Sequence, residues 1–79
     1  MEEFVGYLVK NLVEDPEQVS ITMREGEGEE AESTLEVRVA PEDVARVIGR
    51  KGRTIQAVRT IAATVAARLR RRVRIEVID

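Results

Sequence analysis

The 79-residue sequence predicts an α+β fold in which helices cover one side of a small sheet. Two observations indicate this class. Three short stretches alternate apolar and polar residues, as strands with one buried face do. Three further stretches repeat apolar residues at helical spacing and are bounded by proline or glycine. The predicted order of elements is α-β-β-α-α-β.

The acidic first half of the chain contains the first helix and two strands. Apolar residues from Met1 to Val13 form one continuous helical stripe, and Pro16 is expected to end this helix because the residue before a proline avoids the helical conformation. Two alternating strands follow, centred on Val19, Ile21 and Met23 and on Leu35, Val37 and Val39. Residues 25–33, EGEGEEAES, are expected to form a solvated, mobile turn between them, which makes the pair an antiparallel hairpin.

The second half is predicted to contain two helices and a strand. Residues 40–43, APED, favour a helix start, since proline suits the first helical position and carboxylates suit the first turn. Gly49 interrupts this short helix, and a longer one is predicted from about Arg53 to Arg70, with Ile61 and Leu69 on its apolar side. Alternation at 73–77 predicts the third strand. Two intervening helices permit the second and third strands to run parallel, so a mixed three-stranded sheet is expected. The pattern does not decide which strand is central.

The net charge of −2 conceals a strong segregation. Residues 1–43 carry 13 acidic and three basic side chains, a net of −10, whereas residues 44–79 carry ten basic and two acidic side chains, a net of +8. The segregated basic residues could form one face for a polyanion. They could equally be the solvated charges that keep an arginine-rich helix in solution.

Composition argues against catalysis. The chain has no cysteine and no histidine, which removes the thiol nucleophile, the cysteine zinc site and the commonest general base. Its only serines, Ser20 and Ser33, fall in a predicted strand and the predicted turn, so neither catalysis nor a metal or cofactor is expected. The sequence shows no signal peptide and no apolar run of membrane-spanning length, so a soluble cytoplasmic protein is expected.

The motif VIGRKGRTI places two basic residues between glycines, directly before the long predicted helix. Basic residues at a helix start oppose the helix dipole. Helix-start amides bind anions, however, and glycine lets a phosphodiester chain come close to the backbone. The charges of Arg50, Lys51 and Arg53 therefore indicate an anionic ligand. The alternative is a helix–turn–helix corner that uses glycine only for its conformational freedom.

This motif resembles the signature of the KH domain, whose GXXG loop clamps the backbone of about four single-stranded nucleotides. The predicted element order resembles the type II arrangement of prokaryotic proteins. The whole chain resembles the KhpA family of small bacterial proteins that contain a single KH domain. The resemblance implies one KH domain over residues 1–79, with the GXXG loop at 49–52.

The resemblance also assigns the residues of an RNA site: Ile48, Gly49, Arg50, Lys51, Gly52, Arg53, Thr54 and Ile55. The loop itself would clamp the backbone, and the two residues after it could reach phosphate or ribose. The two isoleucines would help to line the groove on which bases lie, although a place in the core explains them equally well. With one phenylalanine and one tyrosine in the chain, base stacking on a sheet is not expected. A single copy is expected to bind weakly and with little sequence preference.

The function implied by the resemblance is that of a non-enzymatic RNA chaperone in post-transcriptional regulation, linked in the family to cell-wall homeostasis, cell shape and division. The implied partners are single-stranded RNA, a second copy of the chain, and a larger KH-containing protein, KhpB, also called Jag. The arginine run 68–74 could extend the RNA surface or contact an acidic partner. Two other functions stay open: a protein-interaction module that serves assembly, and an adaptor that binds ribosomal RNA.

Alanines of the long helix provide an independent hint of pairing. The positions concerned are Ala57, Ala62, Ala63, Ala66 and Ala67. They make the helix small or apolar around more of its circumference than one sheet face requires, which is consistent with a second helix packed closely against it. Alanine also simply favours helix formation, so the pattern alone does not decide between these explanations.

Overall fold

The computed structural model describes residues 1–26 and 32–78. The helices are α1 (Glu2–Lys10), α2 (Val44–Ile48) and α3 (Arg53–Arg68), and the strands are β1 (Ser20–Arg24), β2 (Glu32–Arg38) and β3 (Arg72–Ile78). Single turns of 3-10 helix, Pro16–Gln18, Pro41–Asp43 and Arg50–Gly52, precede β1, α2 and α3. The predicted order α-β-β-α-α-β, the arrangement of a type II KH fold, is confirmed.

The three strands form one mixed sheet in the order β1-β2-β3. β1 is antiparallel to β2, with Met23 opposite Leu35, and β2 is parallel to β3, with Leu35 opposite Ile75. The hairpin places β1 on one edge of β2, and the crossover through α2 and α3 brings β3 to the other edge. β2 is therefore the central strand, which the sequence pattern had left open.

The helices pack on one face of the sheet and enclose a single core. Its buried members come from every helix and from two strands: Val5, Val9, Leu35, Val37, Val47, Ile55, Val58, Ala62 and Ile75. Within the described residues, no helix is long and apolar enough to cross a membrane.

The apolar side of α3 is narrower than predicted. Ala62 and Ala66 lie at its centre with 1% of their surface exposed, so the helix approaches the sheet closely. Ile61 and Leu69, predicted to share the buried side, are instead 44% and 57% exposed. A small three-stranded sheet covers only a narrow stripe of the helix, and Ile61 falls outside it. Leu69 is exposed because it follows the last residue of α3.

Helix α1 ends at Lys10, well before Pro16, which was predicted to end it. The amides of Glu14 and Asp15 donate to the two carboxylate oxygens of Asp43, each at 3.1 Å. A side chain 28 to 29 residues away thus provides these amides with acceptors outside a helix. The apolar residues 12–13 still pack against the core, as partly buried neighbours.

The predicted acidic turn, residues 25–33, is too long at its C-terminal end. Glu32 and Ser33 belong to β2 and pair with Arg72 and Val73 of β3. The β1–β2 register ends at Thr34, and beyond it the Gly26 amide donates to the Glu32 carbonyl at 3.2 Å. The pairing of Glu32 and Ser33 with the third strand was invisible in the hairpin pattern. Residues 27–31 of the predicted turn lie outside the described residues.

Candidate nucleic-acid interface

The loop between α2 and α3 has an unusual backbone. Three of its four residues have positive φ: Gly49 at 77°, Lys51 at 57° and Gly52 at 72°. The amide of Gly49 closes α2 by donating to the Ala45 carbonyl at 2.9 Å, and the amide of Gly52 donates to the Gly49 carbonyl at 3.0 Å. A left-handed conformation costs a residue with a side chain about 1–2 kcal/mol, and such strain is concentrated at functional sites. The left-handed conformation of Lys51 therefore makes this loop a candidate functional site.

The two glycines of the loop are required for different reasons. A Cβ on Gly49 would collide with the side chain of Thr54 and would lie 2.9 Å from the Thr54 amide nitrogen. A Cβ on Gly52 would have no atom within 4 Å. Gly49 therefore permits a close approach inside the protein, whereas the space in front of Gly52 is open to solvent.

The cations of the loop are exposed, and the ion pairs of the described residues do not involve them. Those pairs join Arg24 and Arg38 to Glu36, Arg46 to Glu14 and Asp43, and Arg74 to Glu76. The start of α3 has no side-chain cap at Gly52 and no acidic residue in its first turn. The amides of Gly52 and Arg53 donate to the carbonyls of Gly49 and Arg50 inside the loop. This end of α3 therefore combines the positive end of the helix dipole with the charges of Arg50, Lys51 and Arg53.

The other predicted site residues lie deeper. Thr54 is half-buried and packs against Gly49, so its side chain helps to fix the shape of the loop. Ile55 is only 4% exposed and belongs to the core, where it anchors the first turn of α3. Ile48 is half-buried at the end of α2 and keeps some apolar surface beside the loop. Of the two isoleucines, Ile48 offers the larger surface to a base.

Two nearby arginines have partners within the protein. Arg46 contacts Glu14 Oε1 at 3.1 Å and Asp43 Oδ1 at 3.4 Å. Arg59 donates from Nε and Nη2 to the carbonyl of Ile75, at 3.3 and 3.2 Å, and so ties α3 to β3. Sequence alone could not show that Arg46 reaches Glu14 or that Arg59 reaches the Ile75 carbonyl, because these two partners are distant in the chain.

The helix-free face of the sheet is polar. Glu36, with its side chain 13% exposed, lies between Arg24 at 3.1 Å and Arg38 at 3.7 Å. Both aromatic residues, Phe4 and Tyr7, are on α1 instead. Among residues 1–26 and 32–78, no group of histidine, cysteine, aspartate or glutamate side chains could hold a metal ion. The sheet thus offers no aromatic platform, in agreement with the sequence prediction.

Comparison with known proteins shows which family this chain resembles. The family model described as "KhpA/KhpB, KH domain" matches residues 2–77. Proteins named "RNA-binding protein KhpA" from Chlamydia pneumoniae and Treponema pallidum are 42% and 41% identical, covering 100% and 99% of this chain and 97% and 94% of their own lengths. One of the same name from Borreliella burgdorferi is 39% identical, covering 98% of this chain and 90% of its own.

A solved structure shows the same fold in a larger protein. The crystal structure of Aquifex aeolicus Era Y63A bound to GDP.AlF4- superposes with a TM-score of 0.71 at 20% identity. The match covers 96% of this chain and 28% of that one, so the likeness concerns one part of Era and the fold alone. The family model and the near-complete overlap with relatives at about 40% identity lead to one conclusion: the chain belongs to the KhpA/KhpB KH-domain family.

Proposed function

We propose that this protein is a non-enzymatic RNA-binding protein that clamps the backbone of single-stranded RNA at residues 49–52. The observation that carries the proposal is the exposed, cationic loop with open space in front of Gly52. Relatives covering the whole chain are named RNA-binding proteins, which supports RNA as the ligand. The proposal includes one KH domain over the chain and neither metal nor cofactor.

In this mechanism the protein contacts phosphates and leaves most base edges unread. A phosphate approaches Gly52, where the absence of a Cβ leaves room, and meets the positive end of the α3 dipole. Arg50, Lys51 and Arg53 neutralise the phosphates on either side. Thr54 and Ile55 hold the loop in shape, and Ile48 supplies apolar surface for a base. Few phosphate contacts give weak binding with little sequence preference.

The arginine corner, which we define as Arg68, Arg70, Arg71 and Arg72, is a candidate extension of this surface. All four side chains are exposed, and they lie at the opposite end of α3 from the loop. Sixteen residues of helix span about 24 Å, so only an RNA longer than the loop's own site could reach both ends. An acidic partner protein is the other ligand that this charge would suit.

The cellular role proposed here follows from family membership. The family description joins KhpA with KhpB, which supports KhpB as a partner alongside a second copy of this chain. A cytoplasmic RNA chaperone that acts in post-transcriptional regulation, and through it in cell-wall homeostasis, cell shape and division, is the role we propose. Sequencing RNA cross-linked to the protein in cells would test this role, and an enrichment of ribosomal RNA alone would favour a ribosome-associated adaptor instead.

An assembly module is the second candidate function. Ile61 on α3 and Leu69 just after it expose large apolar side chains, as a protein-binding surface would. In that case the KH fold would bind a protein, and the cationic loop would be dispensable for it.

One titration separates the two candidates. Arg50 and Lys51 are replaced by Gln together, and binding to a labelled single-stranded RNA is measured at several salt concentrations. The RNA-clamp proposal expects weaker binding and a salt slope that is smaller by about 1.4, since each phosphate contact to a single strand contributes about 0.7.

The control replaces Lys10 and Arg24 by Gln, which changes the net charge equally on other elements. It is expected to keep the parent slope. Equal binding by the loop variant and the parent would reject the clamp, and partner association by a parent that binds no RNA would favour the assembly module.

A further inference from the structure

Asp43 is the one charged side chain buried among the described residues, with 1% of its surface exposed. It stands at the start of α2 but makes no capping bond to that helix. Its oxygens instead accept hydrogen bonds from the amides of Glu14 and Asp15, each at 3.1 Å. Burying a carboxylate is costly unless hydrogen bonds and an opposite charge compensate it. Here the two amides supply the hydrogen bonds, so Asp43 holds the segment after α1 and does not cap α2.

A second contact reinforces the first. Arg46, one turn along α2, reaches Asp43 Oδ1 at 3.4 Å with Nε and Glu14 Oε1 at 3.1 Å with Nη2. We call Asp43, Arg46, Glu14 and the amide of Asp15 the latch. It joins α2 to the segment that follows α1.

The helix that the latch holds is the one that leads into the loop. α2 has only five residues and ends at Gly49, and an isolated helix of that length is not stable in water. Among its residues only Val47 is fully buried, so its packing is supplemented by the latch at its first turn. The angle at which α2 enters the loop thus depends on the packing of Val47 and on the latch.

We infer that Asp43 is a positioning residue for RNA binding, which holds α2 so that the loop keeps its binding conformation. This inference rests on the proposed function of the loop. If the latch opens, the loop populates other conformations, and the apparent affinity falls with the fraction that stays competent. Asp43 does not contact RNA in this account, because its carboxylate is buried and would repel phosphate.

The test compares Asp43→Asn with Glu42→Gln. Each variant removes one negative charge, but Glu42 is exposed and lies outside the latch. Simple electrostatics expects both variants to bind a polyanion slightly more tightly. If the latch positions the loop, Asp43→Asn alone is expected to bind single-stranded RNA more weakly than the parent. The affinity falls about tenfold if about a tenth of the molecules stay competent to bind. The salt slope is expected to stay unchanged, since no phosphate contact is lost.

Hydrogen exchange provides a readout that does not involve RNA. Faster exchange of the amides of residues 50–54 is expected in Asp43→Asn and not in Glu42→Gln. Unchanged affinity together with unchanged exchange in Asp43→Asn would overturn the inference. If the parent itself binds no RNA, the proposed function fails, while exchange of the loop amides still reports whether the latch orders them.

Hydrogen exchange of the parent protein tests the inference even if Asp43→Asn does not fold. In the parent, the amides of Glu14 and Asp15 are expected to open together with those of the loop, with equal opening free energies and equal denaturant dependence. Opening of the Glu14 and Asp15 amides without the loop amides would show that the latch does not hold the loop, and would overturn the inference.

Discussion

Gly49 and Gly52 illustrate how two identical residues can have different tasks three positions apart. Both have positive φ, at 77° and 72°, so both use glycine's conformational freedom. Only Gly49 also needs its missing Cβ, because Thr54 occupies that space. At Gly52 the space is open, and in our account it is the place that a phosphate takes.

Alanine substitutions separate these tasks. Gly52→Ala is expected to fold, with a loss of unfolding free energy of about 1–2 kcal/mol for the left-handed conformation, and to bind RNA less well because the methyl group fills the approach. Gly49→Ala is expected to lose about 1–3 kcal/mol more, since it adds a collision with Thr54. Urea denaturation and RNA titration measure both. Equal stability of the two variants, or full RNA binding by Gly52→Ala, would contradict this assignment.

The position and charge of the loop could be predicted from sequence because they are local. Arg50, Lys51 and the two glycines are adjacent, and the residues that follow them have a clear helical period. The role of Asp43 could not be predicted, because its two amide partners are 28 and 29 residues away and a carboxylate before a helix suggests an ordinary first-turn charge. The contact of Arg59 with the carbonyl 16 residues away was hidden for the same reason.

Helix α3 ends in a well-formed cap. The amide of Arg70 donates to the Ala67 carbonyl at 3.0 Å, and the amide of Arg71 donates to the Ala66 carbonyl at 2.8 Å. These are the two bonds of a Schellman motif, in which the left-handed position is usually glycine. Here Arg70 takes that position, with φ at 57°.

Replacing this arginine by glycine is expected to stabilise the fold. Arg70→Gly relieves the left-handed strain, worth about 1 kcal/mol, although glycine's larger entropy loss on folding offsets part of the gain. Thermal or urea unfolding measures the change, and Arg71→Gly, which lies outside the left-handed position, serves as the control and is expected to show no gain. A less stable Arg70→Gly protein would contradict the cap assignment.

Element boundaries differed in how well sequence could predict them. The start of α3 was correct because Gly52 breaks the helix just before it. The end of α1 was wrong: after Lys10 the Asn11 side chain donates to the Tyr7 carbonyl, and the amides of Glu14 and Asp15 donate to Asp43 instead of continuing the helix. The start of β2 was also missed, since Glu32 and Ser33 are ordered by pairing with β3, a strand about 40 residues later.

For the whole molecule, the surface of α3 suggests association. Ile61 on this helix and Leu69 at its C-cap are exposed, and Ala57, one turn before Ile61, is exposed as well. Small residues allow a second helix to approach closely, and a weak RNA site gains effective concentration when a second copy is attached.

Sedimentation tests self-association through α3. The parent chain is expected to dimerise at tens of micromolar, and Ile61→Glu is expected to shift the equilibrium toward monomer because it places a charge in the apolar contact. The monomer fold is expected to change by less than about 0.5 kcal/mol, since the position is exposed. Ser20→Glu, exposed on β1, serves as the control and is expected to dimerise like the parent. A parent that sediments as a monomer would reject the homodimer.

The central claim, that the loop between α2 and α3 binds an RNA backbone, is tested most directly by an NMR titration. Isotope-labelled protein is titrated with a single-stranded RNA of about four nucleotides, the length that such a loop is expected to cover. We predict that the amides of residues 49–56 shift first and most and saturate together. Shifts confined to the helix-free face of the sheet, around Thr22 and Glu36, would contradict the claim. An absence of shifts in residues 49–56 would contradict it as well.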